Sequence, residues 1–390
     1  IYLSGIKNIL KQGKVMLAID MVGTSLGSGT RTYNLNFCEY LNKEKLNEKV
    51  YIFISKNYTK DVIEHNNNKI EYIVKPKFLS NTFFRVIWMQ FFLPFELKKL
   101  KVDKLYSPMN FGPVFLKLFK IKFILALHSN LPWVFFSKMP GNILRNKFTK
   151  FIMEKSIFAC DLLIVDSHFA KEEIVSLLKI KEDKVFVIYL GIDQKYLNCK
   201  KDNHYLDNFD YKNYIVSVLS CVKYHNIINL LKAFKLFKDN NNNKLKLVFV
   251  LQILDKKYFL EIKKFIGNNF SQNEIIFLHN LDNKYLVNLY KNANLFVFSS
   301  YCEVFGLTSL EAMSQNCPVT ISNRSALPEI NGDAAHYFDP DNIIEIKESL
   351  ESLTTNKKYI ENLILRGNSH FKKFEWSKTV EETNKVLEIK

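Results

Sequence analysis

No stretch of this 390-residue chain runs to about 18 apolar residues without a charge, so no segment reads as a membrane-spanning helix. A signal-peptide pattern is missing too, although Ile1 is not a natural start residue and leaves the N-terminus open. Cysteine is scarce: Cys38, Cys160, Cys199, Cys221, Cys302 and Cys317 show neither a CxxC pair nor metal-ligand spacing, and several sit in apolar segments. Reduced thiols in a cytoplasmic setting are the expectation, with no structural metal. The G-x-G-x-x-G fingerprint of dinucleotide binding is absent. Also lacking are an Arg-rich strip, a zinc module and an RNA-binding signature, which removes the usual reasons to assign a basic chain to nucleic acid.

What is present is a chain of 47% hydrophobic and 24% charged residues, the balance of a globular protein long enough for two domains. Its net charge of +16 comes mostly from dispersed lysine. Phosphorylated ligands or an anionic membrane surface suit that charge better than nucleic acid does. Apolar strand-like runs alternate with helical patterns, which predicts α/β architecture with parallel sheets. The first series of strands is expected at 15–19, 49–54, 70–73, 104–106, 122–127, 162–165 and 185–188. Residues 189–213 turn polar and irregular and read as a linker. A second series is expected at 214–218, 245–251, 274–277, 295–298 and 319–321, and the Asn runs at 66–68 and 240–243 as exposed loops. The chain closes on a helical pattern over 376–390.

Residues 299–342, SSYCEVFGLTSLEAMSQNCPVTISNRSALPEINGDAAHYFDPDN, concentrate the chemistry. A buried strand ends at Phe298, a short turn follows, and from Gly306 onward Leu307, Leu310 and Met313 mark one face of a helix. The free N–H groups of a helix start are a seat for phosphate. Glu303 lies in the turn and Glu311 eight residues on, in the second helical turn. Gly306 and Glu311 are therefore about 7 Å apart along the axis. One element could hold a diphosphate at its tip and hydroxyl groups on either side, the outline of a nucleotide sugar.

The E-x7-E pattern Glu303…Glu311, inside CEVFGLTSLEAMSQNCPV and followed by SALPEINGDAAHYFDPD, resembles the retaining GT-B glycosyltransferases that include many bacterial mannosyl- and glucosyltransferases of surface-polysaccharide synthesis. The resemblance implies two doubly wound Rossmann-like domains facing across a cleft: 1–195 on the acceptor side, 196–375 binding the nucleotide sugar, and a helix over 376–390 crossing back to the first domain. It implies that Glu303 holds a hydroxyl of the transferred sugar and Glu311 the ribose hydroxyls. The amides of Val304, Phe305, Gly306 and Leu307 would cradle sugar and phosphate, and no metal or other cofactor is implied.

Other segments match with varying fidelity. The loop from Gly23 to Tyr33 has glycines at a strand-to-helix turn, where backbone can approach phosphate. It is similar to the family's Gly-rich loop, with Gly29 as the donor-facing match and Arg31 as added charge. His128 ends the strand FILALH, at the carboxyl edge where ligands of open α/β sheets sit. By resemblance it would contact the transferred sugar, with Ser129 where the family often has Asp. In 218–226, VLSCVKYHN, Ser220 stands where Arg is common and His225 where Lys is expected, so Lys223 or protonated His225 is left to neutralise the departing diphosphate. Asn280, after IIFLH, falls where the family meets the nucleotide base with Gly. Residues 80–113, rich in Phe, have aromatics at helical spacing that read as core rather than lipid-facing, with a rim of the acceptor cleft or a bilayer surface as the alternative place for some of them. Asp339-Pro-Asp341 looks like a D-x-D metal motif but sits in a Pro turn and reads as structural.

The expected activity is transfer of a sugar from GDP-mannose or a UDP-sugar, with retention, to a hydroxyl of a lipid-linked or surface glycan. A cytoplasmic location with peripheral contact at the inner face of the membrane goes with it. The alternatives are a catalytically degenerate GT-B subunit that binds glycan or a partner transferase, and a sugar-nucleotide epimerase of the same architecture.

Overall fold

A computed structural model of the chain describes residues 16–23, 29–46, 48–56, 67–197, 213–241, 244–279, 281 and 283–388. The first run of strands is β1 Leu17–Asp20, β2 Val50–Ser55, β3 Ile70–Lys75, β4 Lys104–Ser107, β5 Lys122–Leu127, β6 Leu162–Val165 and β7 Val185–Val187. They form one sheet in the order β3-β2-β1-β4-β5-β6-β7. The second run is β8 Tyr214–Cys221, β9 Lys246–Ile253, β10 Ile275–Leu278, β11 Leu295–Phe298, β12 Val319–Ser322 and β13 His336–Phe338, ordered β10-β9-β8-β11-β12-β13. β1 pairs in parallel with β2 and β4, and β8 does so with β9 and β11. A parallel sheet needs a crossover between strands and so acquires helices on both faces. The central strands VYIFIS, LFVF and VTIS are accordingly buried at every residue. The edge strand β3 IEYIVK, by contrast, exposes every third residue or so.

By packing, the chain divides into one unit of 1–128, 152–164 and 383–390 and a second of 129–151 and 165–382. In the first, Asp20 at the end of β1 is fully buried and meets the guanidinium of Arg85 at 3.1 Å. Arg85 lies on helix Thr82–Phe91 and also sits 4.4 Å over the Phe111 ring. Gly23 has φ +88°, and a Cβ there would stand 2.7 Å from Arg85 Cδ, so the start of the Gly-rich loop has to be glycine. Residues 24–28 of that loop lie outside the described residues.

The aromatic-rich helix departs from expectation. Trp88 and Met89 do face the core, but Phe83, Phe84, Phe91 and Phe92 are exposed. Its inward face is taken by Arg85, recruited by the buried Asp20, so a charge pair fills the place assigned to aromatics. Strand β13 went unread because its three residues, His-Tyr-Phe, carry no periodic signal. Asn240 and Asn241 continue helix Ile227–Asn241 instead of opening a loop. Most of the expected linker, 198–212, is outside the described residues, and its flank is ordered: Ile192 bridges to Glu375. The terminal helix runs Trp376–Glu388, and its last carbonyls include Leu387 O, which accepts from Lys104 Nζ at 2.5 Å within the first unit.

Candidate functional site

In the second unit the strand order reverses between β8 and β11, the switch point beyond whose carboxyl ends open α/β sheets bind ligands. The loop leaving β8 carries Ser220 to Asn226 and the loop leaving β11 carries Ser299 to Gly306. They are tied together: Ser299 Oγ donates to the His225 carbonyl at 2.9 Å, and Tyr301 N–H to the Tyr224 carbonyl at 2.8 Å. Asn226 takes φ +57° to end the short turn Lys223–His225, and its Nδ2 donates to the Pro340 carbonyl at 2.7 Å. The turn is thereby fixed and presents His225 inward.

His225 and Glu303 meet directly. Nδ1 of His225 lies 2.6 Å from the Ser220 carbonyl, an acceptor only, so that nitrogen carries a proton. Nε2 faces Glu303 Oε1 at 3.2 Å, another acceptor, so the pair is satisfied when one further proton lies between them. Ser300 Oγ donates to the same carboxylate at 3.0 Å, and Glu303 N–H donates to Ser325 Oγ at 2.9 Å. The acid is held at both side chain and backbone. Lys223 lies elsewhere, half-exposed, with its Nζ 3.9 Å from Glu261.

Three residues on, Gly306 adopts φ +94° and starts helix Leu307–Ser314. No side chain caps that start, so its amides and dipole are offered to a ligand anion. A Cβ on Gly306 would stand 2.6 Å from Leu327 Cδ2. The neighbouring Phe305 ring is buried, with ring centres 6.0 Å from Tyr189 and 5.7 Å from Phe374, which anchors the loop while Val304 and Leu307 stay half-buried.

Glu311 follows in the second turn, with Tyr290 Oη donating to it at 3.2 Å and Tyr196 also bonded to it. Burial pushes its carboxyl up to about 7, against the two tyrosine hydroxyls and with help from Asp193. The folded chain thus keeps this proton to about pH 7, whereas the unfolded chain releases it near 4.5. Stability from the protonated form is present below the lower value and lost as pH rises through the higher one. Urea titrations of the wild type should therefore show stability falling from pH 4.5 to 7 by on the order of 2 kcal/mol more than in Glu311→Gln. Parallel curves would remove the buried-acid assignment.

The Pro-Glu of SALPEI has a different task. Glu329 accepts the N–H groups of His168 and Phe169 at 2.7 Å each and the Tyr189 hydroxyl at 2.8 Å, capping helix His168–Leu178. Glu329→Ala is expected to cost about 2 kcal/mol, read as a lowered midpoint of chemical unfolding. A midpoint equal to wild type would refute that anchoring role.

The remaining candidates are placed separately. In the first unit, Gly29 opens helix Gly29–Leu41 with open space where a Cβ would be. His128 follows β5, its N–H donating to Asn110 Oδ1 at 2.6 Å and its ring 4.3 Å from that of Tyr33. Asn280 falls outside the described residues. Asp339 and Asp341 are engaged by Arg324, at 2.9 and 3.6 Å, and Asp341 also accepts from Tyr301 Oη at 2.6 Å. The structure adds Tyr196, Tyr290, Ser300 and Ser325. Of these, Ser300 could have been found from its position three residues before Glu303. The tyrosines come from distant elements with no local pattern.

Known proteins share the fold. Residues 27–196 match the family model Glycosyltransferase Family 4, and residues 201–370 match Glycosyl transferases group 1. The O-antigen chain mannosyltransferase RfbU of Salmonella typhimurium is 24% identical over 237 residues, 61% of this chain and 62% of its own length. The match thus spans less than two thirds of that relative. Among solved structures, sucrose-phosphate synthase from Thermosynechococcus elongatus superposes with a TM-score of 0.75 at 16% identity, covering 96% of this chain and 98% of that one. Anabaena HepE in complex with UDP and glucose gives 0.73 at 13% identity, over 96% and 99%. The fold is GT-B. The chain carries a Glycosyltransferase Family 4 domain followed by a Glycosyl transferases group 1 domain.

Proposed function

We propose that the chain is a retaining glycosyltransferase, moving a hexose from a nucleotide-sugar donor to a hydroxyl of a lipid-linked or surface glycan. The observation that carries this reading is the uncapped helix start at Gly306 with an anchored carboxylate on each side of it, Glu303 before and Glu311 after. In this reading the amides of Val304 to Leu307 receive the donor's phosphate and sugar, Glu303 grips a sugar hydroxyl, and Glu311 accepts the ribose hydroxyls. The acceptor oxygen bonds to the anomeric carbon as the carbon–phosphate-oxygen bond breaks on the same face. The acceptor's proton passes to the departing diphosphate.

Charge grows on that diphosphate, and a cation positioned beforehand lowers the barrier. His225, protonated toward Glu303, takes this part, while Lys223 stays with Glu261 outside it. Neutralisation is assigned to His225 and the helix start, with no metal. The mannosyltransferase relative makes GDP-mannose the first donor to try, and the UDP-bound neighbour keeps UDP-sugars on the panel. The test is a donor panel incubated with a lipid-diphosphate acceptor, with products weighed and their anomeric configuration read by NMR. Transfer or donor hydrolysis supports the reading. Binding of nucleoside diphosphate without turnover points to a glycan-binding accessory subunit, and interconversion of a UDP-sugar without acceptor to an epimerase.

A further inference from the structure

We propose that the first unit carries a docking surface for an anionic lipid bilayer, built on helices Thr82–Phe91 and Leu93–Lys99 and the turns beside them. Apolar side chains normally face a core, so a cluster that stays in water points to a partner. Phe83, Phe91 and Phe95 are 60%, 63% and 64% exposed, and Phe78, Phe84 and Phe92 stand out with them. They form two touching groups on adjoining helices: Phe84 meets Phe78 and Phe83 edge-on at 5.8 and 5.7 Å, and Phe95 meets Phe119 at 5.1 Å. Turn Leu116–Phe119, packed against Leu93–Lys99, adds Leu118, which is 80% exposed.

Charge identifies the occupant. Between 76 and 120 the sequence has eight cationic residues against Glu96 and Asp103. Arg85 and Lys104 are buried, which leaves Lys77, Lys98, Lys99, Lys101, Lys117 and Lys120 exposed around the aromatics. Both acids are engaged, Glu96 by Lys75 and Trp88, Asp103 by the Met16 N–H. An aromatic face rimmed by lysine is the composition of a surface that lies at a lipid interface, with rings at the acyl boundary and ammonium groups among phosphates. A second copy of this chain, itself at +16, would set like charge against like. Among the described residues no helix is long and apolar enough to cross a bilayer, so the contact is with a surface.

The test is flotation of the full chain with vesicles of phosphatidylcholine alone or with roughly one third phosphatidylglycerol. The wild type should partition at least about tenfold more onto the anionic vesicles, and less as salt rises. Phe83→Ser/Phe91→Ser/Phe95→Ser should lose about tenfold or more on those vesicles. Lys98→Gln/Lys99→Gln/Lys101→Gln should lose the preference for anionic lipid and most of its salt dependence. Thermal midpoints report whether each variant folds, and the single Phe92→Glu, at a position 58% exposed, carries the same expectation if the triple variant does not. Wild-type partition that neither the aromatic nor the lysine changes reduce would overturn the proposal. So would a wild-type dimer, dissolved by the aromatic changes, that ignores vesicles. No donor or acceptor is present, so this result stands apart from whether the chain transfers sugar.

Discussion

Glu303→Gln is expected to lower the transfer rate by about a hundredfold or more, with the fold intact. The substitution keeps the shape of the side chain and one oxygen for the Ser300 hydroxyl, so packing changes little. What changes is charge. The wild-type carboxylate faces His225 Nε2, and His225 is already committed to donate from Nδ1 to the Ser220 carbonyl. With the neutral amide in place, His225 Nε2 no longer faces a carboxylate. On the proposed reading, the site then loses both the acceptor for the sugar hydroxyl and the charge that holds His225 toward the leaving group. The loss should appear in kcat, since both interactions matter most when charge is developing. Affinity for the free nucleoside diphosphate, which the proposed reading seats on the helix start and Glu311, should move no more than about threefold. A His225→Ala variant tests the coupling: if the two residues act as a unit, the double variant is about as slow as the worse single one. A Glu303→Gln enzyme within about threefold of wild-type turnover would sink the assignment.

Much of this arrangement was legible because parallel sheets write themselves into the sequence. Fully buried strands such as LFVF at 295–298 are continuous apolar runs, and twelve of the thirteen strands among the described residues lie within a few residues of a stretch expected to be a strand. The helix start at Gly306 was legible for a local reason, since a left-handed φ before an amphipathic helix requires glycine. Contacts that depend on the fold's closure were not. Nothing in 218–226 distinguishes Lys223 from His225, yet the left-handed Asn226 turns the imidazole toward Glu303 and leaves the lysine beside Glu261. The tyrosines that bond Glu311 lie 115 and 21 residues away from it, at 196 and 290, beyond any local pattern. The aromatic helix misled for the opposite reason. Its period was right, but a buried Asp20 drew Arg85 inward and rotated the phenylalanines to the outside.

Gly191→Ala is expected to be the most destabilising conservative change in the second unit. Residues 189–192 run alongside the start of the terminal helix: Ile192 N–H donates to the Phe374 carbonyl at 3.1 Å, and Thr379 Oγ1 donates to the Tyr189 carbonyl at 2.7 Å. A Cβ on Gly191 would lie 2.1 Å from Trp376 N, 2.5 Å from Glu375 C and 2.7 Å from Trp376 Cα. All three are backbone atoms, so no rotamer change relieves the clash. The Trp376 side chain next to them is 1% exposed and closes off retreat into the core. One of the two segments has to move, breaking the bridge between Ile192 and Glu375. Overpacking of this kind costs about 3 kcal/mol or more, roughly 6 °C in melting temperature. Gly267→Ala is the matched control. Gly267 lies in helix Lys256–Asn269 with nothing within 4 Å of its would-be Cβ. There alanine should be neutral or stabilise by up to about 1 kcal/mol through helix propensity. Calorimetry on both variants therefore separates a contact that needs glycine from a position that merely has it. If Gly191→Ala melts with the wild type, the segment is not held against the terminal helix as closely as these distances require.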